Sequence, residues 1–495
     1  MRRLFSIVIL TCFFHFGNAQ PTYFNKKFDI RGHYDFGFGI ETIDTGYVVF
    51  GAAVHNTLLS QGFYLLYLDQ NGDSLYSKWY GDTNTLYSPC WGGGFRKYSQ
   101  GGFYMGGAVE YGNGQQYGYL WLFDENGDTL WTKKYGNGID FYAFYHARET
   151  PDKGFILAGA RGVGSNTQGL LIKTDSLGNI EWERNYGGIG VEYGTMVLPT
   201  ANGQYLLGGE TETSPCSAGA TDQWLVRTNS SGIQQWQKCY GTIDDEGNAL
   251  PGYEFSNGDF AFVGQWAYNS ASWFPYISRV NSSGNTVWTK KIHPHGGSDF
   301  LRNMLVTDSE DILAVGKIST PMGTRGLMIR TNSDGDSLWY RKYEYYSTFS
   351  VHQLWDIDTA HGGGFVMCGT TNQSSVQDVW VIKVDEHGCL FDPDCWLPGA
   401  YEEDKFSVGI NEFEKENYFS VYPNPNNGKF FIENKVGIKS DLEIRIYNPI
   451  GELLHSRTFN EMKTELDISN LSSGIYFITV SDDGGILWKT KIIKE

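Results

Sequence analysis

An acidic side chain recurs at one position of a repeated segment, and carboxylates are the groups in this sequence most able to do chemistry. The position holds Asp35, Asp140, Glu192, Asp245 or Glu246, and Asp299. A ring of carboxylates could hold a cation, and two carboxylates brought together could hydrolyse a glycosidic bond. Because catalysis needs such an acid once or twice rather than in most repeats, we expect a structural role, such as a hydrogen bond to a backbone amide.

Other catalytic and metal-binding patterns are weak. His293 and His295 form the only close histidine pair, and with Asp299 they could bind a metal. We favour a loop insertion with solvated imidazoles. The sequence has no G-x-S-x-G, H-E-x-x-H or P-loop motif. It therefore identifies no catalytic residue and no metal ligand, and it gives no reason to expect a cofactor.

Aromatic residues cluster in or beside three segments of variable sequence, residues 108–118, 210–222 and 265–275. Exposed rings there would suit stacking on sugar rings or contact with a protein partner. The alternative is that they pack over the edges of the sheets. The candidate ligand-binding residues are Trp91, Tyr111, Trp266, Tyr268 and Trp273.

The N-terminus has the pattern of a secretory signal peptide, residues 1–19. Arg2 and Arg3 precede a mostly apolar stretch, residues 4–16, and Gly17-Asn18-Ala19 resembles a small-x-small cleavage site, so we expect cleavage after Ala19. No other segment has eighteen uninterrupted apolar residues, so we expect no transmembrane segment. The net charge of −18 disfavours nucleic acid as a partner.

Export places the cysteines in an oxidising compartment. Cys389 and Cys395 flank a short loop that contains proline, and we expect them to form a disulfide. A bridge between Cys216 and Cys239 is also plausible, whereas Cys90 and Cys368 have no evident partner.

A repeat of 51 to 55 residues sets the architecture. It is marked by turn glycines at seven positions, Gly72, Gly127, Gly178, Gly232, Gly284, Gly335 and Gly388. Aromatic residues reach 16% and glycines number 62, which is typical of short strands and tight turns. The third copy predicts four strands, at residues 141–149, 155–160, 170–175 and 180–186.

The two ends of the repeated region are complementary. The seventh copy lacks the last strand of the repeat, and residues 23–28 resemble that strand. Ends that share one sheet leave no open edge. The sequence therefore predicts an all-β fold, in which residues 20–396 form a seven-bladed β-propeller closed by an N-terminal latch strand.

A tryptophan follows most of the turn glycines by four residues, as in Trp131, Trp182, Trp236, Trp288 and Trp339. We expect these residues to pack between blades. The repeat resembles the tryptophan-docking repeat of quinoprotein-like propellers. Those dehydrogenases look eight-bladed and carry adjacent cysteines, which this chain lacks, so the resemblance does not extend to the quinone cofactor.

The C-terminal part is a separate module. Residues 397–416 are acidic and break the period, as a linker does. Residues 417–495 alternate apolar and polar positions between turns, which predicts a small Ig-like β-sandwich. Four strands are expected, at residues 419–433, 442–459, 464–480 and 486–494.

The module carries a set of motif residues: Tyr422, Pro423, Asn424, Pro425, Gly428, Gly451, Gly474 and Tyr476. With these residues it looks like the type A sorting domain of the type IX secretion system, the Por secretion tail. The resemblance implies recognition by the secretion translocon and removal by a sortase-like peptidase. The protein would cross the periplasm of a Gram-negative bacterium, to be secreted or attached to the outer cell surface.

Three functions are compatible with this organisation. We favour a secreted or cell-surface binding protein for a glycan or protein ligand. The alternatives are a secreted polysaccharide-degrading enzyme and a structural protein of the cell surface. The fold alone does not decide among them.

Overall fold

The computed structural model describes residues 23–30, 34–54, 61–82, 85–89, 94–163, 166–212, 221–240, 246–269, 272–292, 298–346, 350–372, 376–390, 419–435, 442–448, 453–482 and 485–495. Every regular element in these ranges is a β-strand, so the predicted all-β class is confirmed. The chain divides into two compact bodies, residues 1–406 and 407–495.

The first body consists mainly of four-stranded sheets of the kind found in propeller blades. We call the set of strands formed by one repeat a unit, and we number the units in chain order. Units three to six are separate antiparallel sheets with strands in sequence order. Their strands are β11 (Phe141–Glu149), β12 (Phe155–Val163), β13 (Asn166–Thr174), β14 (Ile180–Tyr186), β15 (Glu192–Pro199), β16 (Tyr205–Thr211), β17 (Asp222–Thr228), β18 (Gln234–Tyr240), β19 (Glu246–Glu254), β20 (Phe260–Asn269), β21 (Ser272–Val280), β22 (Thr286–Lys291), β23 (Phe300–Val306), β24 (Ile312–Thr320), β25 (Gly323–Thr331) and β26 (Ser337–Tyr343).

Units seven, one and two join into one 13-stranded sheet. Two single parallel pairs connect them, Tyr34 with Gln377 and Gln61 with Leu86. The strands are β1 (Phe24–Phe28), β2 (Tyr34–Ile43), β3 (Gly46–Val54), β4 (Gln61–Asp69), β5 (Ser74–Tyr80), β6 (Thr85–Pro89), β7 (Phe95–Lys97), β8 (Phe103–Tyr111), β9 (Gln116–Phe123), β10 (Thr129–Tyr135), β27 (Val351–Thr359), β28 (Phe365–Asn372) and β29 (Gln377–Val384).

The N-terminal strand lies in the unit formed by the end of the repeated region. β1 runs antiparallel to β29, in a register that pairs Phe24 with Lys383 and Phe28 with Val379. β29 therefore has β28 on one side and β1 on the other. The predicted pairing of the N-terminal segment with the seventh copy is present.

The fourth strand of each unit docks on the turn of the next unit. Gly178 has φ +75°, and a Cβ added there would lie 2.5 Å from Cγ of Lys133 and 3.1 Å from the Trp131 ring. Only glycine combines this conformation with such a close approach. A tyrosine at the end of the docking strand then donates its hydroxyl hydrogen bond to the carbonyl oxygen of the turn glycine: Tyr80 to Gly127, Tyr135 to Gly178, Tyr186 to Gly232, Tyr240 to Gly284 and Tyr343 to Gly388.

β1 makes the same contact with the first unit. A Cβ at Gly72 would lie 2.6 Å from the Phe24 ring, so Phe24 takes the place of the docking tryptophan. Lys26 Nζ lies 2.6 Å from Asp73 Oδ1, just as Lys133 Nζ lies 3.1 Å from Asn179 Oδ1. The inter-unit packing expected for the repeated tryptophans is therefore present, and the N-terminal strand takes part in it.

The second and third strands of the units are longer than the sequence predicts. In unit three, β11 and β14 have the predicted bounds, but β12 and β13 extend until Val163 pairs with Asn166. In unit two, β8 and β9 likewise extend to the pair Glu110–Gln116. Two of the segments of variable sequence, residues 108–118 and 265–275, are largely the paired ends of β-hairpins.

The second body is a sandwich of two antiparallel sheets. One sheet has the order β30-β31-β34 and the other β33-β32-β35-β36. Phe419, Phe430 and Ile432 of the first sheet pack with Ile444 and Ile478 of the second in one core. Each of the first three predicted strands is in fact two separate strands. The strands are β30 (Phe419–Tyr422), β31 (Lys429–Asn434), β32 (Leu442–Tyr447), β33 (Leu453–Phe459), β34 (Lys463–Asp467), β35 (Gly474–Asp482) and β36 (Gly485–Lys494).

Candidate functional site

The recurring acids have structural partners. Asp35 Oδ2 accepts a hydrogen bond from the backbone amide of Ile30 at 2.6 Å, and Asp299 Oδ1 accepts one from Ser319 at 2.5 Å. Both side chains are buried. The expected bond to a backbone amide is confirmed for these two acids.

Two further acids of the series also have polar partners. Asp140 Oδ2 lies 3.0 Å from Nη2 of Arg161, and Glu192 Oε1 accepts a hydrogen bond from Thr211 at 3.2 Å. Burial raises the pKa of Glu192. Asp245 and the Glu246 side chain lie outside the described residues.

His293 and His295 belong to residues 293–297, which lie outside the described residues. The structure therefore does not test the metal-binding arrangement considered for this pair. Within the described ranges, no group of three His, Cys, Asp or Glu side chains is placed to hold a metal ion.

The candidate aromatic residues lie in different surroundings. Trp266, on β20, is buried, and the Lys291 ammonium lies 3.7 Å from the centre of its ring. Trp273, on β21, is half-buried and accepts a backbone hydrogen bond from Asp299. Tyr268 is part of β20, but its side chain is outside the described residues, as is all of Trp91. Of these four residues, the structure describes only the side chains of Trp266 and Trp273.

Tyr111 belongs to a set of half-buried tyrosines at the end of the β8–β9 hairpin. Its hydroxyl lies 2.5 Å from that of Tyr119, and its ring meets Tyr117 edge-on at 6.0 Å. The Lys134 ammonium lies 4.1 Å from the centre of the Tyr117 ring. We call Tyr111, Tyr117, Tyr119 and Lys134 the tyrosine cluster. It offers aromatic edges, hydroxyls and a cation in one place, a combination that suits a sugar.

The first strands of the units share an irregularity that the sequence did not reveal. In five units, the pairing register with the second strand skips one residue of this strand, and such a bulge re-aims its side chain. Phe38 and Trp355 approach each other edge-on at 5.0 Å, although they belong to units one and seven. The bulged residues are Phe38, Tyr145, Thr195, Arg302 and Trp355.

A buried ion cluster joins units two, seven and one beside these bulges. Arg96 Nη1 lies 2.9 Å from Asp356 Oδ2 and 3.4 Å from Glu41 Oε1. Asp356 Oδ2 also accepts the backbone hydrogen bond of Ile40 at 3.0 Å. Burial raises the pKa of Glu41 to about 7, although the Arg96 guanidinium acts in the opposite direction. Arg96, Glu41 and Asp356 form what we call the ion cluster.

The sequence of the repeat does not mark the bulged residues. The bulged position changes from phenylalanine to tyrosine, threonine, arginine and tryptophan, and the position after it changes as much, from glycine to histidine, methionine, asparagine and aspartate. Because both positions vary, sequence variation alone does not separate the bulged residue from its neighbour.

In the second body, the motif residues hold the last strand in place. Asn424 accepts a hydrogen bond from the Ile493 amide at 2.8 Å and donates one to the Lys491 carbonyl at 2.9 Å. Gly428 has φ +103°, and a Cβ there would lie 2.7 Å from Cα of Ser469. The motif therefore fixes β36 against the loop that precedes β31.

Residues 420–495 match the family described as the secretion system C-terminal sorting domain. The sequence matches no curated protein. The described residues include no helix that is long and apolar enough to cross a membrane.

Solved structures share only a remote likeness with this chain. PorZ of Porphyromonas gingivalis, a surface component of the type IX secretion system, is 10% identical over 91% of this chain and 69% of its own, with a TM-score of 0.31. A Dyadobacter fermentans protein of unknown function is 13% identical over 73% and 99%, with a TM-score of 0.40. An ulvan lyase is 9% identical over 73% and 96%, with a TM-score of 0.46. We draw no functional argument from these likenesses.

The C-terminal sorting domain indicates how the protein is exported. Since this domain is a sorting signal of type IX secretion, the chain is a protein exported by that system, to be secreted or retained at the cell surface.

Proposed function

We propose that the exported part of this chain is a closed, seven-bladed propeller that binds a glycan or protein ligand without transforming it. The observation that carries the ligand-binding proposal is the tyrosine cluster, where half-buried rings and a cation lie at the end of a hairpin. A glycan is the ligand class that these groups fit best.

Ring closure is supported from two sides of the first unit. β1 pairs with β29 and docks Phe24 on the turn of unit one, as the tryptophans do elsewhere. Near the first strands, Asp356 of unit seven accepts the Ile40 amide of unit one. These contacts favour a tryptophan-docking type of ring, in which the last unit meets the first.

The hairpin ends and the connections between units would form the binding face. Two isoleucines in these connections, Ile139 and Ile189, are 87% and 95% exposed. Single exposed aliphatic side chains are normal on protein surfaces, so the proposal does not rest on these two residues. Trp91, Tyr268 and Trp273 remain candidates for the same face.

Several features of the mature protein are also proposals. They are removal of residues 1–19 after Ala19, the linker at 397–416, and recognition of the tail by the translocon and a sortase-like peptidase. The pairing of Cys389 with Cys395 stays a prediction, because Cys395 lies outside the described residues.

Co-sedimentation with insoluble polysaccharides tests this function. We expect residues 20–495 to sediment with at least one polysaccharide while the supernatant gains no free sugar. Tyr117→Ala should weaken binding by about 2- to 10-fold, the amount associated with one aromatic contact. The matched control is Tyr253→Ala, since Tyr253 is an exposed tyrosine on β19.

Released sugar would identify an enzyme and contradict the proposal. Equal loss of binding in both tyrosine variants would show that the tyrosine cluster is not the site.

A further inference from the structure

Arg302 differs from the arginine of the ion cluster because no described carboxylate forms an ion pair with it. Arg96 lies within 3.4 Å of two carboxylates. Arg302 Nε is buried, and no described residue accepts its hydrogen bond. Burial lowers the pKa of Arg302 to about 10, with no carboxylate acting in the opposite direction. A largely buried guanidinium without an anion is costly, so its persistence needs an explanation.

The described contacts of Arg302 are with two aromatic rings. Its guanidinium carbon lies 3.9 Å from the centre of the Phe300 ring and 4.5 Å from that of Trp355. Ring faces stabilise the charge but accept little from the N–H groups. Trp355 Nε1, like Arg302 Nε, is buried with no acceptor among the described residues. Two buried N–H groups on side chains in contact therefore have no acceptor in the part of the chain that the structure describes.

A second cation lies at the same ring. Lys317 Nζ is 4.4 Å from the centre of the Phe300 ring. Burial and the charge of Arg302 lower the pKa of Lys317, while Asp299 acts to raise it. Asp299 Oδ1 is already engaged by the Ser319 amide. Two cations that repel each other are thus held around one ring.

The position of these side chains fits entry of a ligand. Arg302 and Lys317 are each partly exposed. Lys317 pairs with Gly326 on β25, three residue pairs from the hairpin end at Thr320 and Gly323. In the closed ring that we propose, this is the end at which the tyrosine cluster lies.

We propose that Arg302, Lys317 and Trp355 form a subsite for an acidic sugar, either a uronate or a sulfated residue of a polysaccharide. The guanidinium edge would pair with the carboxylate or sulfate oxygens, as arginine does with planar and tetrahedral oxyanions. Trp355 Nε1 would donate a further hydrogen bond. This inference rests on the proposed function, because it names the class of glycan that the binding face takes.

Affinity electrophoresis of residues 20–495 tests the subsite. The gels contain polygalacturonate, which supplies uronates, dextran sulfate, which supplies sulfates, or neutral dextran. We expect one or both acidic polymers to retard the protein and neutral dextran to have no effect. Because the chain has a net charge of −18, non-specific attraction to polyanions is disfavoured.

The variants separate the subsite from the rest of the surface. Arg302→Gln should weaken the affinity for the acidic polymer by about 10- to 100-fold, the usual effect of losing a charge-assisted hydrogen bond. Arg184→Gln removes an exposed arginine of β14 and should leave it unchanged. The polymer should also raise the thermal midpoint of the wild type but not that of Arg302→Gln, a shift that a merely structural arginine would not produce.

Unchanged affinity in Arg302→Gln would overturn the subsite. Equal retardation by neutral dextran would also overturn it, and so would displacement of the acidic polymer by poly-glutamate. In each of these cases, binding of a polysaccharide would still support the proposed function. If no polysaccharide in either assay bound the wild type, this inference and the glycan form of the proposed function would both be wrong.

Discussion

Glu41 should make the stability of the first body depend on pH in an unusual direction. The residue is 8% exposed, and burial raises the pKa of its carboxyl group from 4.5 to about 7. Between these two values the folded chain keeps the proton that the unfolded chain loses. The free energy of unfolding therefore falls as pH rises from about 4.5 to 7, and the full cost is present above pH 7.

The size of the effect follows from the raised pKa. The rise in the pKa of Glu41 corresponds to about 3 kcal/mol of destabilisation of the folded state once Glu41 is ionised. Arg96, 3.4 Å away, already offsets part of the burial cost in this figure. Replacing Glu41 by glutamine removes the ionisation and keeps a similar shape.

We therefore expect Glu41→Gln to resemble the wild type at pH 5 and to gain about 2 to 3 kcal/mol relative to it at pH 8. Urea unfolding at a series of pH values measures the difference. Glu125→Gln, which alters an exposed acid, should show no such trend. A difference between Glu41→Gln and the wild type that is constant from pH 5 to 8 would refute the reasoning.

Three other predictions concern packing and export. Tyr186→Phe should lower the free energy of unfolding by about 1 kcal/mol, because the buried hydroxyl donates a hydrogen bond to the Gly232 carbonyl oxygen at 2.6 Å. An unchanged free energy of unfolding in urea would show that this bond does not stabilise the docking between units. Asn424→Ala should make β36 more sensitive to proteolysis, since two hydrogen bonds to that strand disappear; equal cleavage rates would contradict this. Deletion of residues 420–495 should leave the protein in the periplasm, and its appearance in the medium or on the cell surface would contradict the sorting role.

Features that depend on the repeat could be predicted from the sequence. The bounds of β11 and β14 follow from turn residues and alternating polarity, and the pairing of β1 follows from the strand that copy seven lacks. The tail could be identified because its motif residues resemble those of a known family, and one of them, Asn424, holds β36 in place.

The longer hairpins could not be predicted in the same way. The segment after β12 is rich in Gly, Ser and Asn, which favour loops, yet the pairing of Val163 with Asn166 continues the strands. Backbone hydrogen bonds between adjacent strands outweigh such weak local preferences.

Contacts between distant repeats could not be predicted from the sequence either. Trp266 is buried partly because it packs in one core with Met196 of another unit. Arg96 and Asp356 are 260 residues apart in the chain. Arg302 stands out only by comparison with Arg96, because no described carboxylate forms an ion pair with Arg302.

Ring closure is the claim on which the rest depends, because Arg302, Trp355 and Phe38 come from units six, seven and one. The most direct measurement deletes residues 20–30, which contain β1, and supplies them in trans as a synthetic peptide. We expect the shortened chain to have a lower thermal midpoint and weaker binding to the acidic polysaccharide, and the peptide to restore both. A shortened chain with the thermal midpoint and binding of the full chain would contradict the account.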